Sequence, residues 1–236
     1  SEKMKKKNII IDFAMRYGNP SIKSKMKSLQ KSGCENIVIL PLYPQYAAAT
    51  TATVCDEVYR TLMDMRWQPS LQIIPHYESE PLYIEALKNS LEKKLSELNW
   101  KPDTIVASYH GIPKKYFEKG DPYHCYCQKT TRLLSEQFKQ IPIQTTFQSR
   151  FGPQEWLQPY TDKTLENLPA EGKKNVLVIC PGFSSDCVET LEEISMQGKE
   201  SFIKSGGLNF DVVPCLNDND DHINLINNLV SNYLKN

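Results

Sequence analysis

No apolar run in this sequence approaches the roughly 20 residues that a membrane-spanning helix needs. Neither sign of charge dominates: Lys+Arg and Asp+Glu number 28 each, so no global field draws the chain toward nucleic acid. Glycine-rich phosphate loops of the dinucleotide or P-loop type are absent, and so is a basic, aromatic-interleaved surface. There is no signal-peptide pattern either, since Ser1–Lys7 is polar and basic and Ile9–Ile11 is far too short for an h-region. What is present describes an ordinary globular protein: 40% hydrophobic and 24% charged, with 12 Tyr and 3 Trp in 236 residues. That is enough chain for one large domain or two small ones. Seven cysteines, an odd number, suit free thiols in a reducing compartment and predict a cytoplasmic protein.

Short β-branched runs alternate with helical periodicity along the whole chain. Strands are predicted at 8–14, 36–40, 71–74, 104–107, 143–147, 175–180 and 210–213. Helices are predicted at 22–31, 50–65, 81–98, 127–140, 163–168, 186–204 and 221–234. Ser21 caps the first helix and Gly33 ends it. Such alternation means parallel sheets built from βαβ units, hence an α/β fold. Trp100-Lys101-Pro102 interrupts the pattern and divides it. Residues 1–100 then form one half, 101–218 the second, and 219–236 a terminal helix. A chain opening at once on a strand reads as an internal start.

The stretch that organises the rest is Asp103–Tyr123, DTIVASYHGIPKKYFEKGDPY. Thr104–Ala107 reads as a buried strand, and Gly111 and Pro113 stop it, so His110 falls where strand becomes loop. Carboxyl ends of parallel strands are where ligands bind. A histidine there can exchange a proton near neutral pH or ligate a metal, or simply hydrogen-bond its own loop. Pro181–Glu193 repeats the logic as strand, turn and helix start. Asp186, Glu189 and Glu193 fall on one helical face. Asp186 with Glu189 also resembles a capping box, which leaves Glu193, a turn further in, without a helix-end role. Cap and metal route are both open at this point. The loop 148–160 brings Arg150 and Trp156, and a loop of that length is more often functional than not. Pro41–Tyr46 is expected to be an exposed loop presenting Tyr43 and Tyr46. Cys125-Tyr126-Cys127 lacks a matching second pair, so free cysteines are the stronger reading over a metal site.

Five segments, in order, resemble the bacterial ferrochelatases: FAMRYGNPSI, LPLYPQY followed by TT, SYHGIP with GDPY, TFQSRFGPQEWLQPYTD, and CPGFSSDCVETLEEI. The resemblance implies two Rossmann-like (chelatase-type) parallel-sheet halves with a cleft between them, the first truncated at its start by about 80 residues, and the last helix returning to it. It implies insertion of Fe²⁺ into protoporphyrin IX to give protohaem, with protoporphyrin and Fe²⁺ as the binding partners and no required organic cofactor. His110 and Glu189 become the iron-side pair, Glu193 a further acid of the catalytic set, and Arg16, Tyr17, Tyr43 and Trp156 porphyrin-binding residues. Members are soluble or lie on the membrane surface. Some hold a [2Fe–2S] cluster, for which Cys125, Cys127 and Cys215 are candidates without a fourth ligand. A cobalt chelatase of another tetrapyrrole, or a porphyrin-binding module without turnover, would share these residues.

Overall fold

The computed structural model describes residues 9–234. Contacts among these residues divide them into two compact units, one of residues 9–42, 46–76 and 223–234, the other of 43–45 and 77–222. The division thus falls at 76/77 where the sequence reading put it at 100/101, and residues 81–97 belong with the second unit.

In the first unit, α1 (Ile22–Lys31) starts at Ser21, whose hydroxyl accepts from Ser24 N–H at 3.2 Å. It ends at Gly33, whose φ of +80° suits the left-handed residue after a helix. β1 (Asn36–Ile39) and β2 (Ser70–Ile73) pair in parallel, with Ile37 opposite Leu71. Between them a π-helical turn, Ala48–Ala52, runs into α2 (Thr53–Met63). Ile22 and Met26 of α1 pack on Val54 and Val58 of α2 and on Met65, making one apolar core. The expected strand over 8–14 is not seen. Asn8 lies outside the described residues, and Ile9–Ala14 carries no strand, with Phe13 68% exposed. A strand exists only by backbone pairing, and the nearest such pairing among the described residues is a single bridge from Met15 to Ser21.

The second unit holds α3 (Pro81–Glu97), β3 (Thr104–His110), a short α4 (Lys114–Glu118), α5 (Tyr123–Gln137) and β4 (Ile143–Gln148). There follow α6 (Thr161–Asn167), β5 (Asn175–Ile179), a π-helix Glu189–Gly198 continuing as α7 (Lys199–Lys204), and β6 (Asn209–Val212). α8 (Asp220–Tyr233) begins here, and from Ile223 it counts with the first unit. The four strands are all parallel, in the order β4-β3-β5-β6. Val106, Val176, Val178 and Phe210 from the sheet meet Leu165, Ile194 and Phe202 from the helices in a single core. This is why the strands read as near-continuous apolar runs.

The chain moves from β3 outward to β4, then returns across β3 to β5. Connections therefore reverse direction at β3, and the crevice beyond the carboxyl ends of β3 and β5 is where such sheets bind ligands.

Candidate active site

Three segments meet at that switch point. β3 was expected to stop at Ala107, yet it continues through Tyr109 to His110, because β4 is long enough to pair Tyr109 with Phe147 and His110 with Gln148. The half-buried His110 ring places Nδ1 2.6 Å from Gly111 O. A carbonyl can only accept, so Nδ1 carries the proton and Nε2 is the free acceptor of the neutral ring. Phe183, in the turn after β5, lies 6.5 Å from it, ring to ring.

Gly111 is needed for its size: a Cβ there would sit 2.8 Å from Gln148 O and 3.1 Å from the Trp156 ring. Gly111 N–H donates to that same carbonyl at 2.7 Å. Trp156 is buried beneath exposed Phe151, with Nε1 donating to Phe151 O at 3.0 Å. Arg150, in the same loop, is committed: it pairs with Asp162 at 2.6 Å and lies 4.0 Å over the Tyr160 ring.

Glu189 opens the π-helix and Glu193 lies one turn further along it. Hydrogen bonds there run i→i+5, an arrangement that is frequent at functional sites. The Cys187 thiol and the local backbone N–H hold the Glu189 carboxyl below the usual range against the opposing effect of burial, and attraction to His110 adds to the lowering. Cys187 stays a thiol, because burial and the Glu189 carboxylate both push it up. Both Glu193 oxygens are engaged: Oε1 accepts from Ser149 N–H at 2.6 Å, and Oε2 from the Ser149 hydroxyl and, at 3.3 Å, from Gln148 Nε2. Gln148 is buried and also donates to Glu189 O at 2.9 Å, while its Oε1 accepts from Ser108 at 2.7 Å. Gln148, Ser149 and Phe183 were not singled out from sequence. A polar residue closing the run IQTTFQ was the available signal for Gln148.

Asp186 does not join the acidic face. Its carboxylate turns to the loop after β6, accepting from Cys215 N–H and Asn217 Nδ2. The carboxylate is thus taken neither by a capping box nor by the acidic face, the two alternatives its spacing left open.

Tyr43 is 36% exposed, but its neighbours Pro44 and Gln45 are buried, so the loop expected to be exposed is anchored. Gln45 Nε2 donates to Thr130 at 3.0 Å, and Tyr77 N–H donates to Pro44 O at 2.9 Å. In the first unit, Arg16 donates from Nε to Thr53 O at 2.7 Å and covers the ring of Tyr17, which is 70% exposed.

The cysteines do not fit a cluster. Cys125 and Cys127 are two positions apart on α5, so they face opposite ways, one exposed and one buried beside Tyr123. Cys215 is held at Asp186. Among the described residues, no group of three or more His, Cys, Asp or Glu is arranged to hold a metal ion.

A model of the Ferrochelatase family matches residues 1–234. The ferrochelatase of Allorhizobium ampelinum is 56% identical over 230 residues, 97% of this chain and 67% of that protein. That of Francisella tularensis subsp. tularensis is 50% identical over 98% of this chain and 71% of its own length. The chain thus spans about two thirds of the length of these relatives. Among solved structures, SirB from Bacillus subtilis with Fe3+ superposes with a TM-score of 0.73 over 100% of this chain and 87% of SirB. At 13% identity, that likeness concerns the fold.

Proposed function

The chain belongs to the ferrochelatase family, and from that premise we propose that it inserts ferrous iron into protoporphyrin IX to form protohaem, the terminal step of haem synthesis. The observation that carries the reading is that Gln148, the ladder partner of His110, donates to Glu189 O at 2.9 Å, which ties the histidine and the start of the acidic π-helix to one end of the second sheet. Two pyrrole N–H protons must leave before the metal can enter. His110, with Nδ1 tied to Gly111 O, has Nε2 free to take one. The Glu189 carboxylate, kept ionised by its surroundings, attracts Fe²⁺; carboxylate and imidazole are both competent donors to that ion. Glu193, oriented by Ser149 and Gln148, stands behind Glu189, and the second pyrrole proton leaves past this carboxylate pair to water, as does the one His110 takes. The exposed rings of Tyr17 and Tyr43 and the cation of Arg16 are assigned to the porphyrin. Trp156 serves it through the Phe151 loop that it supports. Fe²⁺ is substrate here, and the cysteines give no support for a resident cluster. Seven free thiols support a reducing, cytoplasmic setting; no described helix is long and apolar enough to cross a membrane.

The test is His110→Ala in the purified protein. We expect iron insertion to be abolished while the porphyrin still binds, read as a Soret shift. Turnover near the wild-type rate would overturn the assignment. Preferential insertion of Co²⁺ would favour a cobalt chelatase, and a Soret shift without product in the wild type would favour a binding module.

A further inference from the structure

The proposed chemistry gives no role to the loop between β6 and α8, yet that loop is bonded densely to the segment leading into Glu189. Asn217 sits there at φ +49°, in the left-handed region that asparagine tolerates better than most residues with a Cβ. In this conformation its N–H reaches Ser184 O at 3.0 Å. Its Oδ1 accepts from Asp186 N–H at 2.9 Å, and its Nδ2 donates to Asp186 Oδ2 at 2.7 Å. Asp186 in turn accepts from the Thr190 hydroxyl and from Cys215 N–H, each at 3.2 Å. Buried His222 closes the far side, its Nδ1 2.6 Å from Asn217 O and its N–H bonded to Asn219 Oδ1 at 2.8 Å. A single amide thus grips both ends of one peptide group's neighbourhood, and Asp186 passes the grip to Thr190, the residue after Glu189.

We propose that Asn217 is a positioning residue for the iron-side carboxylates: it fixes where the π-helix begins and so where Glu189 points. This rests on the assignment of iron insertion to the site. Asn217→Gly tests it, since glycine accepts the left-handed backbone and only the amide is lost. Turnover should fall about 10- to 100-fold with porphyrin affinity within about 2-fold, as misplacement of a reacting group predicts. Amide hydrogen exchange over Cys187–Glu193 should quicken about tenfold or more as local opening becomes easier. A second pair controls for misfolding. Asn217→Asp sets two carboxylates face to face and an oxygen against Cys215 O, to which Nδ2 donates at 3.0 Å, and should be impaired; adding Asp186→Asn restores a donor opposite an acceptor and should recover at least part of the lost turnover. Unchanged exchange in Asn217→Gly would overturn the proposal, as would faster exchange with normal turnover, or failure of the paired exchange to rescue. Absence of insertion by the wild type would sink the functional reading instead, and exchange would still decide whether Asn217 holds the Glu189 segment.

Discussion

Replacing Gly111 by alanine adds one methyl group at the most crowded point beside His110. Its position is fixed by the backbone, 2.8 Å from Gln148 O and 3.1 Å from the Trp156 ring. The first is main chain within the parallel ladder, paired with His110, and cannot swing aside. The second belongs to an indole buried under Phe151. Relief requires the end of β3 to part from β4 or the loop to lift, and overpacking of this kind costs about 1–3 kcal/mol. For a chain of this size, at about 2–4 °C per kcal/mol, Tm falls by about 2–12 °C. A displaced Gln148 also loosens its bonds to Glu189 O and Glu193 Oε2, so turnover measured well below Tm drops about 10- to 100-fold. Gly182→Ala is the control. Its Cβ would meet nothing closer than 3.4 Å, and it should stay within about 1 kcal/mol of wild type. Calorimetry and insertion rates on the two variants check this. A Gly111→Ala protein as stable and active as Gly182→Ala would refute the reasoning.

Two further outcomes follow from buried hydroxyls. Tyr83→Phe removes the donor to Pro181 O and the acceptor for Gln45 Nε2; orphaning a buried carbonyl costs about 1–3 kcal/mol, visible as a lower urea midpoint at unchanged m-value, and an unshifted midpoint would contradict it. Burial pushes Tyr77 up to about 12 from 10.0. A raised native value means the contribution is full below pH 10 and lost as pH rises through about 12. For Tyr77 alone it amounts to about 3 kcal/mol. Burial raises Tyr83, Tyr109 and Tyr123 as well. Tyrosinate absorbance should therefore show these four ionising only as the protein unfolds in alkali, and their free titration in the native state would contradict the packing.

How much of this was readable in advance depends on whether the cause was local. Glycine and proline punctuate locally, so the turn after β3 and the strand-turn-helix at Pro181–Glu193 were legible, and with them the neighbourhood of His110 and Glu189. The cap at Ser21 and the stop at Gly33 were legible for the same reason. The extension of β3 to His110 was not, because it depends on how far β4 runs beside it. Nor was the π-helix, since side-chain periodicity over ten residues does not distinguish i→i+5 from i→i+4 bonding. Ile9–Ala14 has a strand's composition and no strand, because composition supplies no partner. Asp186 shows the remaining gap: its spacing fits a cap, and only the fold reveals that its carboxylate is taken by Asn217.

The wider winding at Glu189–Gly198 makes residue number there as consequential as residue type. Losing one residue would let the ladder tighten to an ordinary helix, turning Glu193 away from Ser149 while Glu189 keeps its place at the start. Homologous variants in this segment should therefore differ by substitution far more freely than by deletion, even where the deleted side chain is as exposed as Glu192 or Met196.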